Sequence, residues 1–294
     1  MKIHTESLHH LWVDGEGTIK SGGELFSPQE YSRFKYGSKK QARVYGHQLA
    51  THMAGSALCG EFNHGNTVVV SSAHRHVPTA SANLMGYFVD GLNILFANQN
   101  MPSVATTKIT REQQVAGDYG KLSLAERRKR MDRGAIHIDQ QFIRGKNIIV
   151  VDDVRITGAH EERIQRLFSE FHFLSTLFLY IATFEEGQET IDPIVEDRLN
   201  HTAIHDLADF AELLENEECL INARICKFVL SSNPVELDSF LSRLSGEQDE
   251  FLYTLYSSII GDEYHAMPVY QRQFAMVENE VRRRGLLSLL QQAK

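Results

Sequence analysis

Three uninterrupted runs of apolar and β-branched residues constrain this chain more than any other feature: "NTVVVSS" at residues 66–72, "NIIVVDD" at 147–153 and "STLFLYIATF" at 175–184. They show no polar alternation, so each must be covered on both faces. A sheet provides that when its strands are parallel and helices pack above and below. Helix-length amphipathic stretches lie between the runs, "TASANLMGYFVDGLNILFA" after the first and "EERIQRLFSEF" after the second, with a further short strand-like run, "SVATTKI". Strand and helix alternating in this way predict crossover units and an α/β domain, a parallel sheet flanked by helices. The longest apolar stretch, "FLSTLFLYIATF", is 12 residues, short of the roughly 20 that a membrane-spanning helix needs. It reads as a buried strand.

The texture changes near residue 190. Beyond it the strand signal disappears, and apolar-periodic segments such as "HDLADFAELLENEECLINARICKFVL", "PVELDSFLSRL" and "QDEFLYTLYSSII" take over, punctuated by Pro234, Gly246, Gly261 and Pro268. An all-helical region is predicted over 191–294. At the other end, "GEGTIKSGGELF" reads as a loop or hairpin and "SPQEYSRFKYG" as a short capped helix. "SKKQARVYGHQLATHMAGSA" reads as an amphipathic helix with Ser38 at its N-cap. Residues 1–60 are therefore expected to form a lid over an α/β core at 61–190.

Charge narrows the function classes. Among 294 residues, 38 are acidic and 30 are Lys or Arg, a net charge of −8, which argues against a protein that coats nucleic acid or an anionic membrane. Cys59, Cys219 and Cys226 lack CxxC spacing, so neither a disulfide framework nor a zinc site is expected. The N-terminus has no apolar run of the kind a secretory signal requires. The expected location is cytoplasmic.

The stretch "NIIVVDDVRITGAH" at 147–160 carries the chemistry. A strand that ends in two carboxylates and turns through Thr-Gly into a helix gathers several tools. Backbone amides of the turn and the helix N-terminus form a nest that favours a phosphate. Thr157 adds a hydroxyl, and Gly158 allows positive φ. Asp152 and Asp153 can accept hydrogen bonds from vicinal hydroxyls or orient a hydrated magnesium ion. A phosphate beside a vicinal diol describes a ribose 5-phosphate. The bland reading, acids that merely open a surface turn, does not account for the strongly apolar strand and the following amphipathic helix.

This pattern, "IIVVDDVRITG", resembles the phosphoribosyl pyrophosphate (PRPP) motif of the type I phosphoribosyltransferases. The resemblance implies a parallel sheet flanked by helices, PRPP as donor, magnesium as cofactor and a base-like small molecule as acceptor, with a homodimer compatible with it. By position, Asp152 and Asp153 become the ribose-hydroxyl and metal pair. Arg155, Ile156, Thr157, Gly158 and Ala159 become the 5-phosphate loop, where Ile156 replaces a hydroxyl residue common in the family. Ser71, Ser72, Ala73 and His74 match the pyrophosphate loop, with Arg75 as the charge for the leaving group. Lys108, Arg111, Tyr119 and Lys121 fall in the interval of a mobile catalytic loop, expected at 110–124. The "FKYG" segment with an extended helical tail looks more like the members associated with bacterial tellurium-resistance and stress gene clusters, where a nucleoside-like product is implied.

Bland alternatives apply elsewhere. Phe34 and Tyr36 read more naturally as core aromatics of the lid, and the basic "AERRKRMDR" as a solvated helix face. His201 and His205 at i, i+4 lack a third ligand at a diagnostic spacing. The rival to a transferase is a sensor that keeps the fold and the nucleotide pocket without catalysis.

Overall fold

The computed structural model describes residues 2–14, 18–22, 26–112, 136–169, 171, 173–184 and 194–288. Eight strands occur among them: β1 (Lys2–Val13), β2 (Ile19–Gly22), β3 (Thr67–Ser71), β4 (Ala105–Thr106), β5 (Thr110–Arg111), β6 (Ile136–His137), β7 (Asn147–Arg155) and β8 (Ser175–Phe184). The helices of the N-terminal two-thirds are α1 (Pro28–Lys35), α2 (Lys39–Gly55), α3 (Cys59–Phe62), α4 (Ala80–Asn98), α5 (Gln140–Ile143) and α6 (Ala159–Ser169). Beyond residue 193 follow α7 (Ile194–Asn200), α8 (Leu207–Asn216), α9 (Ala223–Ser231), α10 (Pro234–Arg243), α11 (Asp249–Gly261) and α12 (Gln271–Arg283).

The main sheet runs β2-β1-β8-β7-β3-β4. All its pairings are parallel except the antiparallel β1–β2 edge. The three apolar runs form its centre, and every residue of β3 and β8 is buried. Period-two alternation divides them between two cores. Val69, Ile149, Val151, Leu177 and Leu179 pack with α2 and α4, while Val68, Val70, Ile148, Val150 and Phe178 pack with Ile164 and Phe168 of α6. Full burial of such side chains stabilises by roughly 1.5–3 kcal/mol each.

The N-terminal segment corrects the expectation of a lid. Strand β1 lies within the sheet, parallel to β8 from Lys2 opposite Ser175 to Leu11 opposite Phe184. Helices α1 and α2 contribute Tyr31, Phe34, Tyr45, Leu49 and Met53 to the same core as α4. "KIHTESLHHLWV" conceals its strand character because its buried positions include Ser7 and His9. The capped helices match expectation: the Ser27 hydroxyl accepts from the Glu30 amide at 3.2 Å, and the Ser38 hydroxyl from the Gln41 amide at 3.2 Å.

The C-terminal region is helical, as the periodicity predicts. It has its own core around Phe210, Ile225, Val229, Leu237, Leu255 and Val277. Asp206, Asn222 and Asn233 cap α8, α9 and α10 with their side chains. Polar stitches join this region to the sheet domain. Asp262, wholly buried, accepts from the amides of His76 and Val77 at 2.8 and 3.2 Å. The Ser32 hydroxyl donates to the Asn200 carbonyl at 2.6 Å, and the Leu220 amide to the Gly37 carbonyl at 2.7 Å.

Gly37 is the tightest of these joints. Its φ is +87°, and a Cβ there would strike the Leu220 carbonyl and lie 2.7 Å from Ile225 Cδ1. Gly37→Ala is therefore expected to destabilise the protein by about 1–3 kcal/mol, read as a lower urea midpoint. An unchanged midpoint would show that this junction is looser than its geometry.

Candidate active site

The chain leaves β3 through α4 toward β4 and leaves β7 through α6 toward β8, on opposite sides of the β3–β7 pair. Such a reversal opens a crevice at the strands' carboxyl ends, where ligands of open α/β sheets sit. Ser71 lies opposite Val151 there, and a cavity of about 900 Å³ is lined by Ser72, Ala73 and His74 after β3 and by residues 152–158 from β7.

At the end of β7 one acid, Asp152, is buried and the other, Asp153, is half-buried. Asp152 is 8% exposed. Its Oδ1 accepts from the Ser72 hydroxyl at 2.7 Å and the Asp153 amide at 3.0 Å, and its Oδ2 lies 3.5 Å from His160 Nε2. Asp153 Oδ1 accepts from the Val154 amide at 2.7 Å, while Oδ2 is ion-paired with Lys35. Burial and the Asp153 charge push the Asp152 carboxyl above its ordinary range. Burial would do the same to Asp153, but the Lys35 ammonium, with Arg224 further off, holds it below that range. Burial also lowers His160, against the pull of Asp152. The pair thus divides its roles, with Asp153 the firm carboxylate and Asp152 the member that takes a proton first.

After Arg155 the chain turns through Ile156, Thr157 and Gly158, whose φ is +69°, into α6 at Ala159. Thr157 is exposed to the cavity, as the phosphate-loop expectation requires. Arg155 has a different task. Its Nε donates to Glu161 Oε2 at 2.8 Å, and its guanidinium lies 3.3–3.6 Å from where a Cβ on Gly158 would sit. Glu161 is buried and also accepts from Tyr180, Gln165 and Thr5 at 3.1, 3.0 and 3.4 Å. Sequence reasoning missed Glu161, which fixes the turn to the sheet.

The loop after β3 divides. Ser72 and Ala73 line the cavity, and His74 is pinned through its Nδ1 near the Ser72 carbonyl at 3.2 Å. Ser71 is buried in the strand. Arg75, expected to serve the leaving pyrophosphate, does not line the cavity; its Nη2 pairs with Glu263 Oε1 at 2.5 Å. Lys108 donates to the Arg75 carbonyl and likewise stays out of the lining, whereas Arg111 is part of it. Tyr119 and Lys121 lie outside the described residues.

The far wall comes from segments to which sequence reasoning gave no role. Helix α9 turns Ala223, Arg224, Lys227, Phe228 and Ser231 toward the cavity, and Glu196, Asp197 and His201 face it from α7 and its end. Tyr36 joins them, its ring 4.8 Å from Phe228 and 6.0 Å from His201, both edge-on. The signal was present as spacing: residues 223, 224, 227, 228 and 231 share one face of a helix whose other face is buried. Tyr36 of "FKYG", read from sequence as a core aromatic, is wholly buried and also borders the cavity, as does its neighbour Lys35.

The acid pair was expected to hold magnesium. Asp152 Oδ1 and both oxygens of Asp153 have protein partners, whereas Asp152 Oδ2 has only His160 Nε2 at 3.5 Å, and among the described residues no group of three or more His, Cys, Asp or Glu could hold a metal. Direct coordination through Asp153 Oδ2 does not fit this arrangement, because the Lys35 ammonium is paired with that oxygen. Among the same residues no helix is long and apolar enough to cross a membrane.

No curated protein sequence matches the chain. Among solved structures it is similar to a hypoxanthine phosphoribosyltransferase from Staphylococcus aureus, at 12% identity over 53% of this chain and 69% of that one, with a TM-score of 0.31. It is also similar to a hypoxanthine-guanine phosphoribosyltransferase from L. donovani, at 12% identity over 53% and 74%, with a TM-score of 0.30. A hypoxanthine phosphoribosyltransferase from Trypanosoma cruzi in complex with its product IMP matches at 11% identity over 51% and 77%, with a TM-score of 0.29. Residues 4–277 match the family model described as PRTase ComF-like. With that match spanning nearly the whole sequence, the chain belongs to the ComF-like family of phosphoribosyltransferases.

Proposed function

We propose that the protein transfers ribose 5-phosphate from PRPP to a nitrogen of a base-like acceptor and releases pyrophosphate. The observation that supports this reading most is the convergence, in one cavity at the sheet's switch point, of the Asp152–Asp153 pair and the turn bearing Thr157. In this reading the turn's amides and the Thr157 hydroxyl hold the 5-phosphate at the start of α6. Asp153 and Asp152 accept from the ribose hydroxyls, and Ser72 with the backbone of Ala73 and His74 meets the pyrophosphate. Phe228, Tyr36 and His201 offer an aromatic wall for a planar acceptor. Magnesium enters with the donor, as the PRPP complex.

Displacement of pyrophosphate from the ribose C1 passes through a cation-like sugar, so the protein's contribution is positioning and charge. A buried carboxylate pair beneath the ring serves both. It orients the hydroxyls and presents negative charge to the developing cation in a site of low dielectric.

One observation favours a second reading, a nucleotide sensor without turnover. The Arg75 side chain, the expected cation for the leaving group, is tied to Glu263 outside the cavity. Pyrophosphate release from PRPP and magnesium, measured across a panel of bases, separates the two: release with any base supports the transferase, and donor binding without release across the panel supports the sensor.

Two variants test the donor site. Thr157→Val removes one hydroxyl contact to the phosphate, about 1.4 kcal/mol and so roughly tenfold in PRPP affinity by calorimetry, with an unchanged melting temperature. Undiminished affinity would move the phosphate elsewhere. Asp152→Asn addresses the cost of the buried acid. A carboxyl whose pKa is raised on folding binds its proton more tightly in the folded state, so its contribution to stability falls as pH rises from about 4 through the raised value. The variant should therefore melt higher than the parent near neutral pH and lose that advantage below about pH 4, while binding PRPP more weakly. A melting advantage that did not depend on pH would rule out this origin.

A further inference from the structure

Lys35 lies at the end of α1, far in sequence from the acid motif, yet its side chain is only 9% exposed and its ammonium is ion-paired with Asp153 Oδ2. The same ammonium lies 5.7 Å from the centre of the buried Tyr31 ring. Its placement is held by the residue that caps α9. Asn222, wholly buried, donates from Nδ2 to the Lys35 carbonyl at 3.1 Å. Through Oδ1 it accepts from the Arg224 and Ile225 amides at 2.9 and 3.1 Å. One amide side chain therefore fixes both the lysine and the start of the helix that carries Arg224.

We propose that Lys35 is a built-in cation of the donor site, standing at Asp153 in place of a protein-bound divalent ion. This rests on the reading of the cavity as a PRPP site. Three features support it. Both oxygens of Asp153 are engaged, Oδ1 by the Val154 amide and Oδ2 by a full positive charge. A free divalent ion approaching that oxygen would meet like charge and would have to displace a buried, oriented partner. Finally, Arg75 and Lys108, the basic residues next in line by sequence position, are committed elsewhere and do not line the cavity, whereas Lys35 does. The ammonium keeps Asp153 ionised, and it lies where an anionic donor seated over the acids would find it.

The test uses the full chain and Mn²⁺ alone, with free ion counted by electron paramagnetic resonance. The parent should bind Mn²⁺ weakly. Lys35→Met, which keeps the aliphatic stem and removes the charge, should bind it at least tenfold more tightly. Lys35→Arg should stay weak because the charge is retained, and adding Asp153→Asn to Lys35→Met should abolish the gain. If Lys35→Met does not fold, Lys35→Gln takes its place in the same titration. Equal Mn²⁺ affinity in the parent and the charge-removed variant overturns the proposal, as does a gain that survives Asp153→Asn. A second measurement, PRPP affinity in excess chelator, should fall at least tenfold in Lys35→Met and recover in Lys35→Arg; an unchanged affinity overturns the donor contact. If PRPP binds none of the proteins under any condition, the donor-site reading fails, while the Mn²⁺ titration still decides what Lys35 does at Asp153.

Discussion

Two adjacent carboxylates at the buried end of a central strand pose an electrostatic problem around which much of this structure is organised. Leaving a charge in such a place without partners costs several kcal/mol. Neither acid is left alone: Ser72 reaches Asp152 from β3, His160 from the start of α6, and Lys35 reaches Asp153 from α1. These partners come from three separate parts of the chain. The pair can exist only when the sheet, the N-terminal helix and the turn into α6 are all in place, which ties the site's chemistry to the integrity of the whole fold.

The same constraint explains why the C-terminal helices are stitched so closely to the sheet domain. Lys35 is useful to Asp153 only if the backbone that follows it is held, and Tyr36, Gly37 and Ser38 are held by the loop before α9. Leu220 donates to Gly37, Lys39 donates to Glu218 and Asn222 donates to Lys35. That loop then starts the helix whose polar face becomes the cavity's far wall. The joint between the two regions and the wall of the cavity are one piece of structure, so a change that loosens the junction would also displace the groups facing an acceptor.

How much of this was legible follows from which forces leave a local trace. Strands β3, β7 and β8 are buried on both faces, and their sequences show it as unbroken apolar runs. The caps Ser27 and Ser38 declare themselves through local hydrogen-bonding chemistry, and the acids with Thr-Gly through their spacing. Strand β1 was hidden because its place beside β8 is earned by backbone pairing, which any side chain permits, so "KIHTESLHHLWV" looks like surface. Lys35 and Glu161 were hidden for a related reason. Their partners, Asp153 and the Arg155–Tyr180 pair, are brought to them by the fold, and nothing local marks a lysine after an aromatic as the counter-ion of an acid more than a hundred residues away. Arg75 shows the reverse case, where position along the chain suggested a role that the competing carboxylate of Glu263 takes up.

The division of the cavity has a consequence for how a site of this kind can vary. Its floor, the acids and the phosphate turn, is made by the sheet and by backbone geometry. There Gly158 has positive φ, and Glu161 locks Arg155 behind the turn. Such features tolerate little substitution, because each side chain answers a burial or a strain. Its far wall is a set of side chains on α7 and α9 that are partly buried or exposed, with the wholly buried Tyr36 among them. The inner face of α9 (Ile225, Cys226, Val229 and Leu230) carries most of the packing, while Phe228 also packs against Tyr36 and Phe210 and Lys227 lies over the Tyr264 ring, which leaves Arg224 as the wall position with the least tie to the core. Under the proposed transferase reading, donor recognition is tied to the fold, and acceptor recognition rests on the side chains of α9 and its neighbours more than on the motif at the end of β7.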